Sequence, residues 1–329
     1  MTNTELYNRL IAAGGVPLNS SSGTFQAGNP QSTAWNFGLA DSAGELARHI
    51  DEVPKVTGEP VYSVAPQIRG AWDGVTNVSG WLATKSVLGQ FLEAQAQKIG
   101  SCGGAATSGG LNVMQCLQIA SGKRSDVFKR VSRAWCYVGA REIGGHRGRG
   151  EGVIPPYPLD WCKKYGAVHI DETGTNERYD SDNVASSWDR SGIPRNIMEL
   201  GIDNLIVDMA PCYDFQTAAD VIASGGVVMV ASDQGFTMER DREGVCQPQG
   251  EWMHYMYFAS VHKLPSGRRV LGCGQSWGQN VPDGPTLENC PDYVFGVEER
   301  TVNRMLGQRT STGVTAFAGW ASDYKPWSW

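Results

Sequence analysis

The residue best suited to act as a nucleophile is Cys102, which stands at the predicted start of a helix between Ser101 and Gly103. Unpaired N–H groups and the helix dipole at such a position favour a thiolate, so we expect this thiol to have a lowered pKa. A reactive thiolate also needs a histidine as base or ion-pair partner, and a further group that orients the histidine. The residues around Cys102 therefore predict a thiol-dependent site, provided that a histidine reaches it.

The chain has five histidines, and two of them lie on one predicted strand. His254 and His262 are eight positions apart, or about 26 Å along a strand, so only one of them can reach a given site. His254 follows a predicted loop and opens its strand, where a cleft can form at the end of a sheet, whereas His262 precedes a turn. Taken singly, such residues are more often structural, and spacing alone does not assign a partner to Cys102.

Composition and charge exclude several classes of protein. The 329 residues are 41% hydrophobic and 19% charged, which is typical of a folded globular chain. A net charge of -6 without a long basic run argues against binding to nucleic acid or to an anionic membrane. We expect neither a membrane-spanning segment nor a signal peptide, and therefore a cytoplasmic protein or a component of a viral particle.

The eight cysteines indicate neither a metal site nor a redox motif. None forms a C-x-x-C pair, so a zinc ribbon or a thioredoxin-type site has no support. The even count allows four disulfides, but without a secretion signal we expect mostly buried free thiols. We predict no cofactor and no metal ion.

The elements that position these residues change character along the chain. Apolar spacing predicts a helix over residues 101–122 with one buried face, although several glycines lie near its start. Because each glycine costs an isolated helix about 1 kcal/mol, we expect another backbone or a ligand to approach closely there. Further helices are predicted at 131–143, 158–168 and 216–224, and strands at 225–232, 254–264, 268–277 and 292–299.

Six short motifs follow one another along this framework, and their order resembles that of the papain-like (C1) cysteine peptidases. The resemblance covers about residues 61–310. The motifs are Gly100-Ser101-Cys102 at a helix start, a glycine turn and helix from Gly150 to Gly166, a strand reaching Phe236, the segment Gly244–Pro248 before His254, Gln275-Ser276-Trp277-Gly278, and an aromatic strand from Asp292 to Phe295.

The resemblance implies an α+β fold with two lobes, a helical left lobe with a central helix and a β-barrel-like right lobe, and an active-site cleft between them. It divides the chain into an N-terminal arm or wrapping segment (1–60), a peptidase domain (61–310, with the lobes meeting near 215) and an aromatic C-terminal tail (311–329). The implied activity is hydrolysis of peptide bonds in a polypeptide substrate, through a Cys–His pair and an acyl-enzyme intermediate.

Carried over residue by residue, the resemblance makes Cys102 the nucleophile and His254 its imidazolium partner and proton donor. Gln275 takes the orienting position, where the family has asparagine, and a glutamine has a side chain that is one methylene longer. Trp277 is implied to shield the hydrogen bond between His254 and Gln275 from water.

The oxyanion donor implied beside the Cys102 amide is a glutamine, and Gln97 is preferred to Gln95. The family places this glutamine six residues before the nucleophile, whereas Gln97 lies five before it and Gln95 seven. The residues implied to contact substrate are Gly103 (where the family usually has tryptophan), Gly152, Met253 and Trp277.

Two other functions are compatible with the sequence. The first is a papain-like domain with little or no catalysis, serving as a structural or binding part of a larger assembly such as a phage virion. The N-terminal arm and the aromatic tail would then contact the partner proteins. The second is a metal-dependent hydrolase using Glu251 and His254, but a spacing of three suits a helix and residues 254–264 are predicted as a strand. We favour the peptidase because Cys102 and His254 are both present.

Overall fold

The computed structural model describes residues 53–122, 128–170, 180–200, 206–278 and 280–317, together with two-residue strands at 16–17, 35–36 and 320–321. The first half of the described chain is mainly helical. The helices in these ranges are α1 (Val61–Val64), α2 (Gly80–Leu88), α3 (Cys102–Ala120), α4 (Arg133–Gly144), α5 (Tyr157–Tyr165), α6 (Asp182–Ser191), α7 (Arg195–Met198), α8 (Phe215–Ala223) and α9 (Glu299–Gly307).

The second half is built on an antiparallel sheet with the strand order β10-β9-β5-β6-β7-β8, to which β3 adds by pairing with β6 and β4 by pairing with β9. The strands β1 and β2 pair only with each other among the described residues. The strands are β1 (Val16–Pro17), β2 (Trp35–Asn36), β3 (Asn77–Ser79), β4 (Ile206–Pro211), β5 (Val227–Arg240), β6 (Cys246–Lys263), β7 (Arg269–Gly274), β8 (Phe295–Glu298), β9 (Thr312–Phe317) and β10 (Trp320–Ala321).

The central helix α3 is buried on all sides from Cys102 to Gln118, so the expectation of one buried face was wrong. It packs between α2 and α4 on one side and the strands β5 and β6 on the other. Its glycines make this possible, because a Cβ atom on Gly104 would lie 2.5 Å from the carbonyl oxygen of Arg133. The expected close approach of another backbone to the glycines of this helix is therefore confirmed.

The long strand β6 separates two hydrophobic cores. Tyr255 and Tyr257 belong to the core that contains α3, whereas Met256 and Phe258 belong to the core shared with α8 and α9. Successive side chains of a strand point to opposite faces of its sheet, which explains this alternation. One strand thus connects the helical lobe with the β lobe.

The α+β class predicted from the sequence is confirmed. The predicted start of the strand with His254 was wrong, because β6 already begins at Cys246 and pairs with β5 through three register shifts. The sheet also extends past the expected lobe limits, since β4 lies before residue 216 and β9 beyond residue 310. No helix in the described ranges is both long enough and apolar enough to cross a membrane.

Candidate active site

The Cys102 sulfur lies against the backbone of β6. Cys102 is the first residue of α3, and the backbone N–H of Tyr255 donates a hydrogen bond to its Sγ over 3.4 Å. Tyr255 directly follows His254 in the chain. The fold therefore brings the start of the central helix, from the helical lobe, to the segment of the β lobe that carries His254.

His254 lies in the middle of β6 and not at its beginning, and it pairs with Ser232 of β5. Its side chain is fully buried, and the imidazole stacks on the Trp277 indole with the ring centroids 5.2 Å apart and the planes 16° apart. Trp252 meets the same imidazole edge-on at 6.2 Å. Two indoles thus surround the imidazole and restrict its orientation.

Burial raises the pKa of the Cys102 thiol to about 12 in this structure. Hydrogen bonds from the backbone N–H groups of Tyr255, Gly103 and Cys102 itself act in the opposite direction and lower the pKa. The expected lowering at the helix start is therefore present, but the loss of water around the sulfur outweighs it. The prediction of a net lowering was wrong for this closed arrangement, in which Cys102 is protonated at neutral pH.

The carboxamide oxygen of Gln275 accepts a hydrogen bond from the backbone N–H of Trp277. Its Nε2 is buried and has no hydrogen-bond partner among the described residues. In the role implied by the resemblance, the oxygen would accept from the imidazole of His254 instead. Gln275 would have to turn its oxygen away from the Trp277 amide to take that role.

Gln97 joins the segment before α3 to the segment that contains Gln275. Its backbone N–H donates to the Ser276 carbonyl over 3.2 Å, and its side-chain Nε2 donates to the Ile99 carbonyl over 3.2 Å. Gln95 instead bonds to Ser108, further along α3. Both glutamines considered for the oxyanion site are bonded to the segment around Trp277, because the Gln95 carbonyl accepts from the Gly278 N–H over 2.8 Å.

The remaining residues predicted to contact substrate are covered by protein atoms. A Cβ on Gly103 would overlap with the Val153 side chain, so this position allows close packing of α3 and leaves no space for the tryptophan usual in the family. Met253 is partly buried and packs against Val53, which is 1% exposed. The Gly152 carbonyl oxygen is bonded to Arg141.

Arg141 is a residue of this region that the sequence analysis missed. Its guanidinium is fully buried, forms an ion pair with Asp189 at 2.6 Å, and donates to the carbonyl groups of His146, Arg149, Gly150 and Gly152. A buried arginine with this many partners fixes the conformation of the glycine-rich loop that ends at Gly152. The Gly and Arg residues of the loop itself did not indicate that Arg141, an arginine on α4, fixes the conformation of the loop.

The pair Glu251 and His254 does not form a shared site. Glu251 is exposed whereas His254 is fully buried, although both belong to β6. All eight cysteines lie in the described part of the chain, where all are buried and none is in a disulfide, as expected.

Comparison with known proteins identifies the fold. No family model matches this sequence, and no curated protein matches it. Among solved structures, xylellain, a cysteine protease from Xylella fastidiosa, has a TM-score of 0.53 at 15% identity and aligns over 88% of this chain and 98% of its own. ProCathepsin B S9 from Trypanosoma congolense has a TM-score of 0.52 at 11% identity, over 95% and 97% of the two chains. The chain therefore has the fold of the papain-like cysteine proteases, and Cys102 and His254 lie where its two lobes meet.

Proposed function

We propose that this protein is a cysteine peptidase in which Cys102 is the nucleophile and His254 its partner. The observation that carries the proposal is the contact of the Cys102 sulfur with β6, one residue from His254, while Trp277 stacks on the imidazole. The similarity in fold to two cysteine proteases supports the same reaction class. At 11–15% identity that similarity concerns the fold, so the residues must carry the chemical argument.

In the proposed reaction the Cys102 thiolate attacks the carbonyl carbon of a peptide bond and forms a tetrahedral intermediate. The backbone N–H of Cys102 and a side-chain N–H of Gln97 stabilise the oxyanion. The scissile nitrogen then takes the proton of the His254 imidazolium and leaves as an amine, which produces a thioester. A water molecule, deprotonated by His254, hydrolyses the thioester, which releases the carboxylic acid and restores the Cys102 thiolate and the His254 imidazolium.

The closed arrangement has to open before this reaction takes place. Cys102 and His254 are both completely buried, and Val53 packs against Met253, the residue before His254 in the chain. We propose that the contact between Val53 and Met253 restricts access to the site and that its opening admits water and substrate. Access of water would remove the desolvation that raises the Cys102 pKa.

A catalytically inactive binding module is the second candidate. Two features favour it: the burial of Cys102, which raises the pKa of its thiol, and the Gln275 oxygen that is bonded to the Trp277 amide. In such a module the same residues would only stabilise the contact between the lobes. A docking role in an assembly, through the arm or the aromatic tail, belongs to this candidate.

Hydrolysis of unfolded protein substrates by matched variants separates the two candidates. We expect Cys102→Ala to lower the rate of peptide-bond cleavage by at least about a thousandfold, because no nucleophile remains. Cys116→Ala is the control, since Cys116 is another fully buried cysteine of the same helix. If Cys102→Ala cleaves as fast as the wild type, the peptidase proposal is wrong. If the wild type cleaves nothing even after limited proteolysis of the arm, the binding module is favoured.

A further inference from the structure

The carboxylate of Glu151 lies beside the segment that leads into the central helix. It is half-buried, and its Oε2 accepts a hydrogen bond from the Gly100 N–H over 2.7 Å. Gly100 is two residues before Cys102, so the Cα atoms of these two residues are at most about 7.6 Å apart. Val153 packs on the other side of the nucleophile, because a Cβ on Gly103 would overlap with its side chain. The segment 151–153 therefore borders the start of α3.

Glu151 has no cationic partner in the described ranges. The bond from Gly100 is the only hydrogen bond that it makes there, and no described arginine, lysine or histidine forms an ion pair with it. Arg141 contributes a positive charge to this region, but its guanidinium is paired with Asp189 at 2.6 Å. Burial raises the pKa of the Glu151 carboxyl, and the Gly100 N–H and the Arg141 charge only partly offset the effect. The carboxylate is thus partly desolvated without a cation in contact.

A second carboxylate at the same segment, that of Asp182, is compensated. It accepts from the Lys98 N–H over 2.9 Å and from the Ser101 hydroxyl over 3.4 Å, and it lies 3.5 Å from the Arg133 guanidinium. The Lys98 side chain is exposed and forms no ion pair with either carboxylate within the described chain. Of the two carboxylates that hold this segment, Glu151 is therefore the one left to pair with a cation from another molecule.

We propose that Glu151 selects substrates with arginine or lysine immediately on the acyl side of the scissile bond, an inference that rests on the proposed peptidase activity. The carbonyl carbon of that substrate residue becomes bonded to the Cys102 sulfur, so this residue is the part of the substrate closest to the nucleophile. Glu151 lies beside Gly100, two residues away along the chain, which is within reach of a long cationic side chain. Because the protein has already removed part of the water around Glu151, pairing costs little further desolvation of this carboxylate.

Two peptides that differ only at this residue, arginine in one and its uncharged analogue citrulline in the other, test the proposal. We expect the wild type to cleave the arginine peptide with a kcat/KM at least about tenfold higher, because a charge-assisted hydrogen bond is lost with citrulline. Glu151→Gln keeps an oxygen that can accept from Gly100 but removes the charge. It should abolish the preference, chiefly through KM for the arginine peptide, whereas Glu151→Asp should retain part of it.

Glu199→Gln is the matched control, because it makes the same change in a side chain that is 73% exposed and pairs with Arg195. It should keep the full preference for the arginine peptide. If Glu151 only supports the fold, Glu151→Gln will slow the cleavage of both peptides by the same factor, and the inference is overturned. Equal cleavage of the two peptides by the wild type also overturns it, but leaves the peptidase proposal intact.

Binding to Cys102→Ala separates a failure of this inference from a failure of the proposed function. Fluorescence anisotropy with labelled forms of the two peptides measures the preference without catalysis. Tighter binding of the arginine peptide, lost when Glu151→Gln is added, supports the cation subsite even if the wild type cleaves neither peptide, a result that would contradict only the peptidase proposal. Equal affinities, or no binding of either peptide at millimolar concentration, would show that Glu151 selects no cation.

Discussion

At the scale of single residues, the environment of Cys102 shows how burial can outweigh position. The helix start supplies the N–H groups that stabilise a thiolate, and each of them lowers the pKa. Full burial removes water from the sulfur and raises the pKa to about 12. An active form of the site must therefore differ from this closed structure in its hydration, although its hydrogen bonds can stay the same.

Gln275, the residue that would orient the His254 imidazole, gives the first prediction. Gln275→Asn shortens the side chain by one methylene and restores the residue that the papain-like peptidases have there. We expect the rate of peptide hydrolysis to be preserved or raised, because a shorter carboxamide is held more firmly beside the imidazole. The measurement is kcat and KM on a peptide substrate. A fall of more than about tenfold would show that the glutamine geometry is required, or that another residue orients His254.

His262 gives a prediction on acid stability. Burial lowers the pKa of this histidine to about 4, against an ordinary value near 6.5. Between these values the unfolded chain binds a proton that the folded chain does not, so the folded state loses stability as the pH falls from 6.5 towards 4. The loss is at most about 1.4 kcal/mol per pH unit for one group.

This contribution can be measured by urea unfolding of the wild type and of His262→Gln at several pH values. The variant should lose less free energy of unfolding between pH 6.5 and 4.5 than the wild type does. Glutamine can still bond to Ser260, the partner of His262 at 2.9 Å, so the comparison tests the charge. Equal slopes in the two proteins would contradict a lowered histidine pKa.

At the scale of elements, the glycines of α3 determine how closely its neighbours approach. Gly103→Ala would place a Cβ in contact with Val153 and within 3.0 Å of the Tyr255 ring. We expect it to lower the free energy of unfolding by about 1–3 kcal/mol, as overpacked cores do. Higher helix propensity would offset at most about 1 kcal/mol of this cost.

A compensating substitution and a control make the Gly103→Ala prediction specific. Val153→Ala removes the methyl groups that clash, so the double variant should be more stable than the sum of the two single effects. Gly307→Ala is the control, because Gly307 ends α9 on the surface and a Cβ there meets no atom within 4 Å. That change should be neutral or stabilising in chemical denaturation. Additive effects of Gly103→Ala and Val153→Ala would show that the clash is absent.

At the scale of the whole molecule, the site is formed where distant segments meet. Cys102 comes from the helical lobe, His254 and Trp277 from the β lobe, and Val53 from the N-terminal side. Val53 is 1% exposed and packs against Met253, so the proposed restriction of access to the site can be tested at this contact.

Val53→Asp therefore gives a prediction about the whole chain. A carboxylate is costly to bury against Met253, so the contact should open and admit water to the site. We expect Cys102 to be alkylated by iodoacetamide at pH 7.5 at least about tenfold faster than in the wild type. Peptide mapping by mass spectrometry identifies the labelled cysteine.

Cys136 and Cys162 serve as internal controls in the alkylation experiment, because both are fully buried away from Val53. Their sulfur atoms lie 3.6 Å apart between α4 and α5. Their labelling should stay slow in both proteins. If all cysteines are labelled faster in the variant, the substitution has destabilised the whole fold. If Cys102 is labelled at the wild-type rate, the Val53 contact does not limit access.

The sequence by itself predicted the α+β class and the central helix, and both are confirmed. Apolar periodicity, turn residues and the order of short motifs are local signals, and they survive in a chain whose identity to similar folds is 11–15%. Nothing local predicted the early start of β6, because residues 246–253 include Pro248 and Gly250 and four of the eight are exposed. Their strand conformation comes from pairing with β5.

The tertiary structure alone decided the properties that depend on desolvation and on partners far apart in sequence. The raised pKa of Cys102, the bond from Trp277 to the Gln275 oxygen and the network of Arg141 are of this kind. Each depends on how completely packing excludes water from a group, and on which hydrogen-bond donor lies within reach of it. Both are fixed only when the lobes pack together, so residue types and spacing could indicate candidate side chains but not their protonation or their partners.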